Sequence, residues 1–449
     1  MPVPHQAIDT ITLQGGHAIR GEVAVRGAKN SISKQLVAAL LTEDPCTLHN
    51  VPAISDTYIV SDMLRAMGIV VDAGVDGAGS VTVHAGSITP LSPERLGEFT
   101  GRSRIPILLC GPLLHRTGEA LIPSLGGDDI GKRQVNWHLM ALEQLGADIE
   151  EHADGWHLRA KCLVGCEIRL PFPSVGATEQ VLLSAVVAEG VTTLHGAAVE
   201  PEILDLITVL QKMGAAILFG SDRTIVIHGQ ESLHGYEHQA IPDRLEVASW
   251  ACAAIATGGE VVVRNARVED MVSFLGAFRL LGGHFTDSPE GLHFKRGTRG
   301  LRAVDLETAV HPGLMTDWQA PIGIALTQCD GVSTIHETVY ENRFGYTKAL
   351  VEMGARITVS AGCPKGQACR YGGLGHPHLA TFEGVAALHG ADIEVPDLRA
   401  GFSYVIAALV ASGNTTIRNL RIVDRGYEGF LPKLETLGAR IISASVSPS

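Results

Sequence analysis

The chain has no long run of lysine and arginine, and its 48 acidic residues outnumber its 35 basic ones, for a formal net charge of −13. That argues against a nucleic acid or an anionic membrane as partner, so clustered cations point to a small anion instead. The opening stretch, "MPVPHQAIDT", has no basic segment followed by an apolar run. No later apolar stretch reaches membrane-spanning length without interruption by Gly, Pro or charge. The expectation is a cytoplasmic protein, neither secreted nor inserted. The eight cysteines are scattered over 449 residues with no dense framework, which fits free thiols in a reducing compartment. A chain of this length has room for two or three domains.

What the sequence does have is internal repetition. "LRAMGIVVD", "LEQLGADIE", "LQKMGAAIL", "FRLLGGHFT", "LVEMGARIT" and "LETLGARII" each join a helix end, a glycine and an alternating strand. The marker glycines Gly68, Gly146, Gly214, Gly282, Gly354 and Gly438 lie about 68 to 84 residues apart, too far for a solenoid and enough for a βαβ-type unit with extra strands. Each glycine suits a helix C-cap. Upstream of each marker the order is an apolar helix, a strand, a short polar loop and an amphipathic helix. The apolar helices open at equivalent ends with Lys29, Arg104, Ser174, Asp243 with Arg244, Asp317, and Asp397 with Arg399. For Ser174 and Asp243 an N-cap is sufficient reason. A cation at a helix N-terminus opposes the macrodipole and calls for a compensating group such as a phosphate. Three repeats per domain place the boundary near Gln239–Arg244. The first domain is then 28–240, the second is 1–27 with 241–449, and a ligand-binding cleft is expected where they meet. The N-terminal strand "DTITLQGG" is expected to pair in the second domain.

The stretch "SLGGDDIGKR", Ser124 to Arg133, combines a glycine pair, two carboxylates and two cations. Lys132 and Arg133 can hold an anion, but Asp128 and Asp129 repel it unless one carboxyl does chemistry. Taken alone, the stretch is more simply read as a solvated turn.

The segments "RGAKN", "SLGGDDIGKRQVNWH", "PSVGATE", "AAVEPEI", "IPDRLE", "HPGLMTDWQAP", "ETVYENRF", "PDLRAG" and "DRGYE" together resemble the enolpyruvyl transferases nearly end to end. The Gly-Ser-Lys-Ser turn and Asn-Ala-Gly-Thr loop of the shikimate-pathway member are not present. The resemblance implies two inside-out α/β barrel domains, each of three βαβαββ units, with no cofactor and no metal. It implies phosphoenolpyruvate and UDP-N-acetylglucosamine as partners, and the first committed step of peptidoglycan synthesis as the reaction. Residue by residue, it implies that Lys29, Arg133 and Arg425 hold the phosphate, with Arg104, Arg343 and Arg399 completing the positive site. Asp317 is the implied base. Asn30, His138, Ser174, Val175, Gly176 and Val339 are the implied contacts to the nucleotide sugar, and Glu200 and Asp397 orient cations.

One departure stands out, because the family's loop usually has cysteine where this chain has Asp128. Both groups can deliver a proton, but a thiol is ordinarily protonated at neutral pH and a carboxyl is not. The substrate's negative charge and exclusion of water on closure would favour the protonated carboxyl, and Asp129 adds pressure in the same direction. A subset of the family is similar in carrying Asp here, so Asp128 is expected to be the working acid. Fosfomycin, whose epoxide the family's thiolate opens, is expected to leave this enzyme active.

Two other readings remain. One is transfer to a different nucleotide acceptor, for which Gln134, Asn136 and Trp137 in the loop leave room. The other is a nucleotide-sugar-binding regulator without turnover, which the retention of Lys29, Asp317, Arg399 and Arg425 opposes. Cys363, Cys369, His376 and His378 in "CPKGQACRYGGLGHPH" suggest zinc ligands, but their spacing matches no common site and no metal is expected. The Cys162–Cys166 pair is a weaker candidate still, and His311 and His336 are expected to be satisfied structural histidines.

Overall fold

The computed structural model describes residues 8–74, 79–126, 135–364 and 369–446. Among these, one compact unit comprises residues 27–126 and 135–241, and the other residues 8–26 and 242–446. Each unit has its own hydrophobic core. Both are built from the repeat that the sequence announces.

The fifth repeat shows the plan most completely. Strand Asp305–Glu307 is followed by helix Gln319–Leu326, strand Gly331–His336, helix Thr347–Glu352, and the hairpin strands Arg356–Ser360 and Leu379–Gly384. Asp305–Glu307 pairs parallel with Gly331–His336, and the hairpin adds two antiparallel strands on the other side. In the 242–446 unit the first helix of each repeat is apolar on nearly every side and is therefore core. In Arg244–Thr257 every residue from Val247 to Ala256 is buried. It packs on its counterparts Gln319–Leu326 and Leu398–Val410. The second helix is amphipathic and ends at the marker glycine. All six glycines have φ between 76° and 101°, a region where a side chain would be strained. At the first, Gly68 N donates to the Arg65 carbonyl at 3.0 Å and Ile69 N to the Leu64 carbonyl at 3.1 Å, the paired bonds of a Schellman cap.

Two repeats borrow strands from distant sequence. Glu237–Gln239 supplies the parallel leading strand of the first repeat, beside Cys46–His49. Arg20–Ala24 does the same for the fourth, beside Glu260–Arg264. Strand Ile8–Gln14 lies in the sixth repeat's sheet, antiparallel to Asn414–Arg418 and Arg440–Val446. The second repeat is the exception, with a three-stranded sheet of Glu119–Pro123, Gly155–Arg159 and Asp148–His152. No described helix is long and apolar enough to cross a membrane.

Candidate active site

In the 27–241 unit, Lys29 opens helix Lys29–Ala38, and its Nζ is 3.0 Å from Asp56 Oδ2. One turn on, Lys34 Nζ donates to the Asn30 carbonyl at 2.8 Å and lies 3.5 Å from Glu179 Oε1. Burial pushes the Glu179 carboxyl up to about 7; Lys34 opposes the rise, and the negative charges of Glu202 and Glu200 add to it. Arg104 occupies the N-cap position of the 3-10 turn Ile105–Leu109 that leads into helix Cys110–Thr117, without a side-chain capping bond. Ser174 Oγ accepts from Ala177 N at 3.3 Å, so the N-cap expected of it is made. Val175 and Gly176 form the first turn of that helix. Their relation to His138 is direct: a Cβ on Gly176 would lie 2.6 Å from His138 Nε2, so only glycine lets the buried imidazole approach this backbone.

In the other unit Asp317 sits in the 3-10 turn Thr316–Trp318 at the opening of the fifth repeat's inner helix. Its Oδ1 accepts from Arg343 Nη2 at 3.1 Å, and the same Nη2 donates to the Thr316 carbonyl at 3.1 Å. Both side chains are buried, and Arg343 Nε meets no partner among the described residues. A guanidinium with a donor left over beside a carboxylate is suited to hold an anion while it orients the carboxylate. Arg343 and Asp397 also share the wall of a cavity of about 510 Å³, with Lys348, Glu352, Asp392 and Tyr404. Asp397 Oδ1 caps helix Leu398–Val410 by accepting from Ala400 N at 3.0 Å. Asp243 caps its helix likewise, accepting from Leu245 N and Glu246 N, while Arg244 lies over the Trp318 ring. Arg425 ends the 3-10 turn Leu420–Arg425, half-buried. Asp128 and Arg133 lie outside the described residues, as does the side chain of Arg399.

A residue that sequence reasoning passed over ties this region together. Glu337 is fully buried. Its Oε2 accepts from Thr316 Oγ1 at 2.8 Å and Gln319 Nε2 at 2.7 Å, and its Oε1 accepts from Val339 N at 2.8 Å and Tyr340 N at 3.1 Å. One carboxylate thus anchors both the turn that carries Asp317 and the segment that carries Val339. The available signal was its place at the head of "ETVYENRF", directly after a strand.

The histidine and cysteine expectations change. His376 is exposed, and only its backbone carbonyl joins the cluster, accepting from His378 Nδ1 at 2.6 Å. His336 takes its place beside Cys363, Cys369 and His378. His336 is also not the satisfied structural histidine expected, since its buried Nε2 has no hydrogen-bond partner among the described residues. The register of Gly331–His336 against Leu379–Gly384 sets His336 opposite Leu379, next to His378, a neighbourhood that linear spacing does not reveal.

A family model described as EPSP synthase (3-phosphoshikimate 1-carboxyvinyltransferase) matches residues 13–434. Among curated relatives, the UDP-N-acetylglucosamine 1-carboxyvinyltransferase of Protochlamydia amoebophila is 45% identical over 97% of this chain and 94% of its own. Those of Chlamydia abortus and Caulobacter sp. are 44% and 41% identical, each over 97% of this chain and over 98% and 97% of their own. Among solved structures, the enolpyruvyl transferase NikO from Streptomyces tendae superposes with a TM-score of 0.84 at 26% identity, covering 98% of this chain and all of that one. An EPSP synthase from Acinetobacter baumannii shares the fold, with a TM-score of 0.74 at 18% identity over 97% of this chain and all of its own. With its sixfold repeat, its charged inner-helix openings and this near-complete coverage, the chain belongs to the EPSP synthase family of enolpyruvyl transferases.

Proposed function

We propose that this enzyme transfers the enolpyruvyl group of phosphoenolpyruvate to the 3-hydroxyl of UDP-N-acetylglucosamine with release of phosphate, the entry step of peptidoglycan synthesis. The observation that carries this reading is identity of 41–45%, nearly end to end, to relatives that bear the corresponding name. A cytoplasmic location belongs to the same reading.

In the first half-reaction the 3-hydroxyl oxygen bonds to C2 of phosphoenolpyruvate, its proton passes to Asp317, and an acid delivers a proton to C3. In the second half C3 gives up a proton and the bond from C2 to the phosphate oxygen breaks, which restores the double bond and frees phosphate. Arg343 fixes one oxygen of Asp317 and so orients the carboxylate for proton abstraction. Lys29, Arg133 and Arg425 are assigned to the phosphate, and Arg104, Arg343 and Arg399 to the rest of the enolpyruvyl group, where fixed cations stabilise developing charge without reorganisation. Asn30, His138, Ser174, Val175, Gly176 and Val339 are assigned to the nucleotide sugar, Glu200 and Asp397 to orienting cations, and Asp128 to protonating C3. The close fit of His138 to Gly176 supports a shaped surface there.

Phosphate release from phosphoenolpyruvate, measured with UDP-N-acetylglucosamine, UMP or shikimate 3-phosphate as acceptor, tests the reading. Release is expected with the first alone. Release with UMP instead would move the enzyme to another nucleotide acceptor, and no release with any of them would leave a binding protein.

A further inference from the structure

We propose that His336, Cys363, Cys369 and His378 form a structural zinc site, closed by four protein ligands, that pins Cys363 and Cys369 to the fifth repeat's sheet. The ligand atoms of these four residues all lie within 4.8 Å of one another. Cys363 Sγ is 3.2 Å from Cys369 Sγ and 3.2 Å from His378 Nε2. Around a zinc ion with Zn–S near 2.3 Å, two tetrahedral sulfurs stand about 3.7 Å apart, whereas a disulfide requires about 2.05 Å. The observed spacing lies nearer the former.

The hydrogen bonds around the histidines carry the argument further. His378 Nδ1 faces the His376 carbonyl at 2.6 Å, and a carbonyl can only accept, so the proton is on Nδ1 and Nε2 presents its lone pair to the cluster. His336 Nδ1 is 2.8 Å from Glu307 Oε2, which sets the same tautomer. Its Nε2, on a buried residue that belongs to the four-residue group, has no hydrogen-bond partner among the described residues. A ligating histidine whose second nitrogen donates to a carboxylate or a backbone carbonyl is the usual outer shell of a zinc site. Two thiols and two imidazoles suit this borderline-soft ion, and four protein ligands leave no open position for catalysis.

The fold explains why such a site is useful here. His336 ends strand Gly331–His336 and His378 directly precedes strand Leu379–Gly384, so two ligands are held by the sheet ladder. Both cysteines come from the loop. That loop carries Tyr371, whose hydroxyl donates to the Val339 carbonyl at 2.6 Å, in the segment that Glu337 anchors. Zinc would tie Cys363 and Cys369 to the ladder.

The test is zinc content of the full chain, purified under reducing conditions without chelator, together with the absorption of the cobalt-substituted protein. About one zinc per chain is expected, with the visible bands of tetrahedral cobalt and thiolate-to-cobalt charge transfer. Cys363→Ser and Cys369→Ser should each lose the charge-transfer intensity and most of the zinc, and Cys162→Ser should keep both. The native mass of the wild type reads the same question without any variant. A metal-free chain after incubation with zinc, whether with two free thiols or a Cys363–Cys369 disulfide, would overturn the proposal. So would zinc that survives both loop substitutions. The readouts are independent of enolpyruvyl transfer and stand whichever acceptor the enzyme uses.

Discussion

Arg343 Nη2 and Asp317 Oδ1 are 3.1 Å apart, on two side chains almost wholly withdrawn from solvent. The pair joins the expected base to a cation expected at the enolpyruvyl group, so charge on one is felt by the other at low local dielectric.

Asp317→Asn keeps the shape and the contact surface while removing the proton acceptor. Turnover should fall by roughly two to four powers of ten, with nucleotide-sugar binding little changed. Near-normal kcat in this variant would assign the base to another residue.

Glu337→Gln tests the anchor. Four donors converge on the carboxylate, and an amide offers one acceptor oxygen and turns a donor toward the rest. Leaving buried donors unmet costs about 1–3 kcal/mol, so the denaturation midpoint should drop and kcat should fall with it. A variant with wild-type stability and kcat would show that Glu337 positions nothing.

Gly176→Ala separates binding from folding. In an ordinary helix the change stabilises by about 0.5–1 kcal/mol, but here the new methyl meets His138 Nε2 at 2.6 Å and must displace the ring. KM for the nucleotide sugar should rise about tenfold or more, with thermal stability within a few degrees of wild type. An unchanged KM would remove His138 and Gly176 from the sugar-binding surface.

The raised Glu179 gives stability a pH signature. A carboxyl at about 7 in the folded chain, against an ordinary value of 4.5, binds its proton more tightly when folded. Its contribution is therefore full below about 4.5 and is lost as pH rises through about 7. Glu179→Gln should flatten the fall in denaturant midpoint across that window. Parallel wild-type and variant profiles would place the proton elsewhere.

Fosfomycin should not inactivate the wild type, because Asp128 offers a weakly nucleophilic carboxylate where the related enzymes usually carry a thiol. Asp128→Cys should stay active and become inhibited over time, with a covalent mass increase. Rapid inactivation of the wild type with the adduct on a residue other than Asp128 would show that the acid has been misplaced.

Much of the architecture is written in local pattern. A helix that is apolar all round must be buried, and one that ends at glycine with a strand beyond it must turn there. Gly68 and the other marker glycines therefore declare their places without reference to distant residues. The caps at Ser174 and Asp243 were legible for the same reason, since an N-cap involves atoms only a few residues apart. The role proposed for Asp317 as base rests on resemblance.

Tertiary structure alone decided which side chains meet across sequence. Glu337 reaches back to Thr316 and Gln319 only because the strand before it sets the direction from which its carboxylate enters. His336 replaces His376 in the cysteine cluster because the antiparallel register puts Leu379 opposite His336, and a shift of one residue would turn these side chains to the other face. Sequence determines what each segment can form by itself, through caps and periodicity that act within a turn or two. Which carboxylate or imidazole completes a site depends on the pairing of strands far apart in the chain, which exists only once the sheet has formed.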